Sequence, residues 1–457
     1  MLGFAANRSL LEESYLEVTK PDFQSVSNVF NQVNIQIHFT LAGLASDWID
    51  LENHSSISPF QRYNWVRSLF ESTNLDITGK ADLTSKPFFI SGYIGSKLIF
   101  VLPLVKEKNL LGESVRWLGS ELSDYNGPVV RNEYAHFLGR ENFDRIIALI
   151  STNFPAANMF YLTRNPEFQN EFLFHFENGH FWTAEYDSHK LELHRDWKSL
   201  LANRRSKKSR QRLRSKLNAL KKDSKIVFRQ VRNNLERKIL TEKLLTWKSD
   251  HLEKIGQRNP FGSEQTPSNL RKIIENSIAD DGDASLRLFG IFKDGQLVAG
   301  MLAFVDENKF YYLVSAYCPK LPSKFSVGTH LLMKTMELAS RSGLSEFDFL
   351  IGDEDYKFDW SSDRIKLHHI AAPINSKGQI VCLAQYTGMT IKKFVCSQPK
   401  LKSKILSTVI WLRKLNQKAV QKNASAAQSE TEILTQRLIR VMGKSHNADT
   451  LSERIGD

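Results

Sequence analysis

The chain has 457 residues, of which 41% are hydrophobic and 25% charged, and it carries a net charge of +12. This length predicts two domains with extensions, and this hydrophobic content excludes a wholly disordered chain. Three cysteines are too few for a disulfide framework or a zinc site, which favours a reducing compartment. The longest apolar run, LIFVLPLV at 98–105, is far shorter than the ~20 residues of a membrane span, so we expect a cytoplasmic protein.

The positive charge is concentrated in two segments. Thirteen Lys and Arg against two Asp give 195–225 a local charge of +11, and nine Lys and Arg without an acid give 392–422 a charge of +9. The rest of the chain is therefore mildly acidic. Such segments fit an anionic partner, namely membrane headgroups, nucleotide phosphates or RNA. A solvated helical face is the alternative interpretation of either segment.

The first half begins with an aperiodic extension over 1–30 and continues as a predicted domain over 31–190. Gln61 and Trp65 lie in its first capped helix and are expected to be packing residues, with contact to a sugar as the alternative. The predicted elements are that helix (58–72), a hairpin (88–107) turning at Gly95 and Ser96, a strand with a polar loop (115–130), a helix (140–152) and strands near 158–163 and 180–186.

The second half is predicted as a domain over 191–385, followed by a basic helical tail over 386–457. It opens with one long basic helix, Trp197–Lys222, and continues with a strand and two helices. The remaining predicted elements are three antiparallel strands (285–293, 296–306 and 309–317), a helix from Gly328 to Gly343, a strand ending at Gly352 and a last strand at 364–374.

This order of elements is similar to that of an N-acetyltransferase (GNAT-like) domain. We therefore predict a GNAT-like domain in the second half, within an α/β (α+β) fold that has mixed, largely antiparallel sheets and the helical tail. In such a fold two neighbouring strands splay apart and the acyl donor lies in the gap. Its phosphates would meet the N–H groups at the start of the next helix, at Ser326, Gly328 and Thr329. Tyr317 ends the strand beside this gap and is either a donor contact or core packing.

The runs SPFQRYNWV, GSELSDYNGPVV and SAYCPKLPSKFSVGTHLL…SRSGLSEFDFLIGDEDYKFDW together resemble acyltransferases of the CelD/BcsL type, named for cellulose biosynthesis. This bacterial group is related to Fem-type aminoacyl transferases and is tied to exopolysaccharide. Its members look like two GNAT-like halves packed together, so the resemblance implies two tandem GNAT-like domains. The resemblance implies transfer of an acyl group, acetyl from acetyl-CoA, to a hydroxyl or amine of a polysaccharide or its lipid-linked precursor. The loop PSKFSVGTHL lacks the usual Gly-x-Gly/Ala ending, so aminoacyl-tRNA remains the alternative donor.

The most specific stretch, FLIGDEDYKFDW at 349–360, places acids, a phenol and an amine where a strand ends. Acyl transfer needs a base for the acceptor's proton, an acid for the leaving group and positive charge near the oxyanion. We assign these roles to Asp353, Tyr356 and Lys357, in that order, with Asp355 as the alternative base. In Fem-type enzymes a lysine just after the corresponding strand is linked to the transition state, and Lys357 matches it. The alternative is an exposed acidic loop closed by an ion pair. We expect Lys357 to lie outside the core.

Acceptor binding is assigned to Asp124 and Tyr125, in the polar loop of the first half, and to Gly352 and Asp355 beside the catalytic group. An ordinary Asx-turn is the alternative for the first pair.

No metal is expected, because the histidines lack metal-like spacing and are interpreted as structural: His330, His368 and His369. Cyclic dinucleotide binding by a non-catalytic, nucleotide-sensing subunit of a glycan synthase is a third possible function, beside the acyl-CoA and tRNA enzymes.

The tail contains a possible amphipathic helix at 398–422. Its apolar residues Leu401, Ile405, Val409 and Leu412 are spaced to share one face, and Lys and Arg occupy much of the rest. Such a helix can bind an anionic inner membrane surface, which predicts a protein peripheral to that membrane. Packing of the same face on the protein's own body is the alternative.

Overall fold

A computed structural model gives the structure of this protein and describes residues 33–73, 85–109, 112–120, 122–137, 140–167, 179–256, 259–262, 265–279 and 286–397. The predicted tail segment 398–422 and the extension 1–30 lie outside the described residues. The fold is mixed α/β with two mixed sheets, which confirms the predicted fold class.

The helices and strands have the following bounds. The helices are α1 (Ala45–Glu52), α2 (Tyr63–Thr73), α3 (Arg140–Asn153), α4 (Trp197–Arg204), α5 (Lys207–Lys221), α6 (Asn234–Lys254), α7 (Gln265–Ala279), α8 (Val327–Arg341), α9 (Asp355–Trp360) and α10 (Ser376–Ser397). The strands are β1 (Asn34–His38), β2 (Ser85–Ile94), β3 (Lys97–Asn109), β4 (Gly112–Trp117), β5 (Val129–Val130), β6 (Ala157–Pro166), β7 (His180–Thr183), β8 (Ser188–Glu192), β9 (Ile226–Val231), β10 (Leu286–Lys293), β11 (Gln296–Val305), β12 (Lys309–Tyr317), β13 (Glu346–Ile351), β14 (Asp363–Ile365) and β15 (Leu367–Pro373).

The two halves repeat one order of elements: a strand, two helices, three antiparallel strands, a helix and a further strand. In the first half this series runs from β1 to β6, and in the second half from β9 to β13. Each half contains one parallel pair, β4 with β6 and β12 with β13. The hairpins β2–β3, β10–β11 and β11–β12 confirm the predicted turns. The repeat is the tandem arrangement that the sequence predicted.

The halves exchange one strand each. The first sheet has the order β1-β2-β3-β4-β6-β15-β7, with β5 also pairing β3, and the second has the order β14-β8-β13-β12-β11-β10-β9. Strand β8 follows the first half in sequence but pairs with β13, and β15 follows the second half but pairs with β6. The single strand predicted at 364–374 is therefore two strands in different sheets. Both sheets belong to one compact unit that ends at Thr387.

The long basic helix predicted at Trp197–Lys222 is two helices. Asp196 caps α4 by accepting hydrogen bonds from the N–H groups of Lys198 and Ser199 at 3.0 and 3.2 Å. Ser206 starts α5 by accepting from Ser209 N–H at 3.2 Å. A serine that can bind the backbone of the next turn competes with helix continuation, which explains the break.

The core is shared between the halves. Phe60 and Trp65, from the first half, meet the Phe304 ring on β11 edge to face, at centroid distances of 5.6 and 5.2 Å. The Trp65 indole donates to Ser123 Oγ at 3.0 Å, and Gln61 Nε2 donates to the Pro128 carbonyl at 2.9 Å. Gln61 and Trp65 are therefore packing residues, as expected. This shared core fixes the loop at 119–128 against the second sheet.

Candidate functional site

Strands β12 and β13 separate after a short parallel ladder. They pair only at Lys309–Tyr311 with Glu346–Asp348, although β12 stays bound to β11 up to Tyr317 and β13 to β8 up to Ile351. A gap therefore opens beyond Tyr311 and Asp348. This is the splayed pair that the sequence predicted for the donor.

The equivalent gap of the first half is filled. Beyond the parallel ladder of β4 and β6, the Trp117 indole occupies the interior with 1% of its surface exposed. Its Nε1 donates to Asn165 Oδ1, across the gap on β6, at 2.8 Å. Beyond their ladder, β4 and β6 are thus bridged by a buried hydrogen bond.

The start of α8 lies at the open end of that gap. A Cβ atom built on Gly328 would lie 3.1 Å from the Tyr317 ring, so the helix start and the end of β12 are in close contact. Ser326 adopts a left-handed conformation with φ 50° and receives a hydrogen bond of 2.7 Å from Lys216 Nζ on α5. Thr329 follows in the first turn and is partly exposed. The structure brings all four predicted donor residues together and adds Lys216.

Lys357 is buried, and the prediction that it lies outside the core is wrong. Only 3% of the residue is exposed. Its ammonium donates to the carbonyls of Ile351 and Leu350, at 2.7 and 3.3 Å, and lies 3.0 Å from Glu354 Oε2. The ammonium therefore binds the end of β13 to the helix that follows it.

Gly352 makes the approach of Lys357 possible. Its φ is 134°, a region that favours glycine. A Cβ atom there would lie 2.5 Å from Glu354 Oε2 and 2.9 Å from Lys357 Nζ. Gly352 was predicted to bind the acceptor; its geometry shows that it makes room for this ion pair.

The other residues of the DEDYK stretch point to different surroundings. Asp353 is exposed and lies 3.5 Å from Nε2 of the buried His189 on β8, and Asp355 is exposed in the first turn of α9. The Tyr356 ring packs near Tyr312, with centroids 6.4 Å apart. Burial, together with Tyr312, raises the pKa of Tyr356 far above its usual range, so this phenol keeps its proton.

Charged side chains from both halves lie around the ion pair between Lys357 and Glu354. Asp124 lies 3.6 Å from Arg164 Nη1 on β6, and its carboxyl group faces the backbone N–H of Ile351. Lys248 on α6 interacts electrostatically with Glu354, Lys357 and Asp124. We call these five residues the cleft cluster: Asp124, Arg164, Lys248, Glu354 and Lys357.

Burial moves the pKa values of Asp124 and Lys248 toward the neutral forms. It raises the pKa of Asp124, and Arg164 and Lys357 offset part of that rise. It lowers the pKa of Lys248, against the opposing charge of Glu354. Burial also acts on Glu354, but the Lys357 ammonium and its hydrogen bond hold the pKa of that carboxyl below its usual value. A carboxylate with a raised pKa beside a fixed cation can act as a general base.

Tyr125 does not reach this cluster. It is 1% exposed, and its hydroxyl donates to Asp348 Oδ2 at 2.7 Å and lies 2.5 Å from Ser188 Oγ. Burial raises the pKa of Asp348 to about 6, although the bonds from Tyr125, Leu350 and Ser188 favour its ionised form. The structure thus corrects the predicted acceptor role: Tyr125 braces the first-half loop against β13 and β8.

Sequence reasoning missed Arg164, Lys248 and Glu354. The sequence pattern could have revealed Lys248, because it lies on the same helical stripe as Thr241, Leu245 and Leu252, and these three residues are buried. Glu354 lay within the quoted stretch but was passed over for its neighbours. No sequence pattern indicated Arg164, because the pairing of strands that are distant in sequence brings it to the cleft.

No metal site is evident among the described residues: no group of three or more His, Cys, Asp or Glu in them could hold an ion. The predicted structural histidines are spread through the fold, with His330 on α8 and His368 and His369 on β15. His369 Nδ1 accepts a hydrogen bond of 3.1 Å from the Arg164 N–H. None of the helices in the described ranges is long and apolar enough to cross a membrane.

Comparison with known proteins identifies the second half. Residues 207–358 match the family model described as "Acetyltransferase (GNAT) domain", so this part of the chain is a GNAT-type domain. No curated protein matches the chain. The match confirms the superfamily that the motifs predicted, while the CelD/BcsL assignment stays a prediction.

Three solved structures are similar over most of the chain. FemX is 12% identical, with a TM-score of 0.48, covering 74% of this chain and 96% of its own. The C-terminal domain of a putative lysylphosphatidylglycerol synthetase from Agrobacterium fabrum is 11% identical, with a TM-score of 0.43, covering 77% and 98%. A tandem GNAT protein from the clavulanic acid pathway is 10% identical, with a TM-score of 0.40, covering 75% and 99%. Likenesses at this level say nothing about substrate.

Proposed function

We propose that this GNAT-fold acyltransferase moves an acyl group, acetyl in the simplest case, from acyl-CoA to a hydroxyl or amine in the cleft between the halves. The supporting observation is that two features flank the open end of the strand gap. On one side, Gly328 and Thr329 in the first turn of α8 offer N–H groups for phosphate, and Lys216 beside Ser326 offers a cation. The cleft cluster lies on the other side, where β13 stops.

The reaction removes one proton from the acceptor and transfers the acyl group from sulfur to the acceptor oxygen or nitrogen. Asp124 takes the proton from the acceptor hydroxyl or amine, which attacks the thioester carbonyl. The bond from carbonyl carbon to sulfur breaks, and the proton ends on the CoA sulfur. Lys357 holds the strand end and supplies positive charge nearby. Asp124 takes the role first given to Asp353, because Asp353 faces His189 and not Lys357.

The acceptor class is proposed from the motif resemblance. A polysaccharide or its lipid-linked precursor is the acceptor that the resemblance implies, and it fits a protein at the cytoplasmic face of the inner membrane. Segment 398–422 would supply the membrane contact. Co-sedimentation with anionic vesicles should then be stronger for the full chain than for a chain ending near residue 385, and equal sedimentation would count against the contact.

An aminoacyl-tRNA donor is the second candidate, favoured by helix α5. Its exposed cations form no ion pair within the described ranges and lie on the same helix as Lys216: Lys207, Lys208, Arg212, Arg214 and Lys221. Such a surface suits phosphates, with an affinity that falls steeply as salt rises.

Heat protection separates the donors. CoA and acetyl-CoA should raise the melting temperature of the full chain, and the acetyl thioester should be consumed when acceptor is added. Protection by tRNA alone, lost at moderate salt, would replace acyl-CoA with the second candidate. Protection by a cyclic dinucleotide without thioester consumption would indicate a non-catalytic sensor.

A further inference from the structure

Lys248 is a cation in an apolar position of α6. The residues that share its stripe are buried, with Thr241 exposed by 3%, Leu245 by 5% and Leu252 by 9%. The stripe faces β11 and β12, where Leu240, Leu244 and Leu245 join the shared core. Lys248 itself is half-buried. A lysine here costs desolvation free energy that a leucine would avoid, so a compensating interaction is expected.

The described residues do not supply that compensation directly. Within the described ranges, no carboxylate oxygen lies within 4.0 Å of Lys248 Nζ, and no hydrogen bond is formed. The two nearby carboxylates are already engaged: Glu354 with Lys357 at 3.0 Å, and Asp124 with Arg164 at 3.6 Å. Lys248 is the remaining cation of the cleft cluster.

The charge balance of the cleft cluster also indicates that Lys248 lacks an anionic partner. Three cations, Arg164, Lys248 and Lys357, face two carboxylates, Asp124 and Glu354. The excess is one positive charge when both acids are ionised, and more when Asp124 is protonated. A half-buried site with excess positive charge favours an anionic ligand.

We propose that the acceptor substrate carries an oxyanion, a carboxylate or a phosphate, bound by Lys248 within the cleft. The assignment of the anion to the acceptor substrate rests on the proposed function. The presence of an anion site at Lys248 does not. The anion would sit beside the Lys357 ion pair and hold the acceptor hydroxyl or amine near Asp124. A neutral acceptor would leave Lys248 uncompensated in the complex.

The test uses partial acetylation of lysines with isotopically labelled acetic anhydride on the full chain, read residue by residue by mass spectrometry. The probes are glucuronate for a carboxylate, glucose 1-phosphate for a phosphate and glucose as their neutral match. Lys254 is an internal control, because it is exposed at the end of the same helix and forms no ion pair with any residue that the structure describes.

At least one of the two anions should slow the labelling of Lys248 severalfold. Glucose should have no effect on Lys248, and the labelling of Lys254 should not change with any probe. The anion that protects identifies carboxylate or phosphate. Binding of that anion, followed by calorimetry, should weaken at least tenfold in Lys248→Gln and stay unchanged in Lys254→Gln. Equal protection of both lysines, protection by glucose, or no protection by either anion would overturn the proposal. Since none of these readouts uses acyl-CoA, failure of the donor assignment would be seen separately, in the heat-protection measurement.

Discussion

Replacing Lys357 with methionine tests whether the ammonium holds the end of β13. Methionine keeps the aliphatic stem but removes the donors, so the carbonyls of Ile351 and Leu350 lose bonds of 2.7 and 3.3 Å. A hydrogen bond to a charged group contributes about 1.5–3 kcal/mol, and the longer of these two bonds is weak. We therefore expect the free energy of unfolding to fall by about 2–4 kcal/mol in Lys357→Met.

The matched control is Glu354→Gln, which removes the ion pair but leaves both carbonyl bonds. The Glu354 side chain is 52% exposed, and an ion pair with such a partner contributes less than about 1 kcal/mol. Urea unfolding of the two variants, extrapolated to water, gives both values. If Lys357→Met is as stable as the wild type, or if Glu354→Gln costs more, then the carbonyl bonds are not what holds the strand end.

The same variants separate folding from acyl transfer. At a temperature where both are folded, transfer in Lys357→Met should fall about 10²-fold, because a preorganised donor near the developing charge is lost. Glu354→Gln should retain most activity. Full activity in folded Lys357→Met would remove Lys357 from the proposed mechanism.

Three further substitutions follow from the structure. Gly352→Ala should cost about 1–3 kcal/mol of unfolding free energy in urea titrations, more than Gly95→Ala, whose φ of 59° is also left-handed but whose Cβ would meet no atom within 4 Å. Asp348 has a folded pKa of about 6, above its unfolded value near 4, so its contribution to stability falls by at most about 3 kcal/mol as pH rises from 4 to 6, and Asp348→Asn should flatten that part of the pH profile of unfolding. Gly328→Val should weaken CoA binding about tenfold in calorimetry, and adding Tyr317→Ala should restore part of it if the clash at 3.1 Å is responsible; unchanged affinity in Gly328→Val would place the donor elsewhere.

Local patterns predicted the elements well but not their partners. The strands β10, β11 and β12 followed from alternation and from short turns at 294–295 and 307–308, which depend only on neighbouring residues. The stretch 364–374 was also recognised as extended. Its division into β14 and β15, in different sheets, depends on pairing with Lys190 and Tyr161, which are far away in sequence. Strand propensity contains no information about such a choice.

The sequence predicted those parts of the candidate site that lie within one short segment. It missed the parts that are assembled from segments far apart in the chain. The donor residues Ser326, Gly328 and Thr329 form one loop, so a motif could find them. The burial of Lys357 depends on Gly352, because a Cβ atom there would lie 2.9 Å from the ammonium. Nothing in the residue types distinguishes that arrangement from an exposed acidic loop with an ion pair.

The strand exchange explains why the cleft cluster can draw on both halves. Strand β6 deviates from its exchanged partner β15 between His368 and Ile370, and β13 deviates from β8 between Asp348 and Leu350. At these two places Arg164 and Leu350 have the same unusual φ of 59°. The equivalent kinks bring Arg164 from one sheet and the Leu350–Ile351 carbonyls from the other to the same cluster. Since each kink is held by a strand donated from the opposite half, the halves cannot separate without breaking both ladders. We therefore expect substrate entry to depend on local motion of loops and side chains and not on separation of the halves.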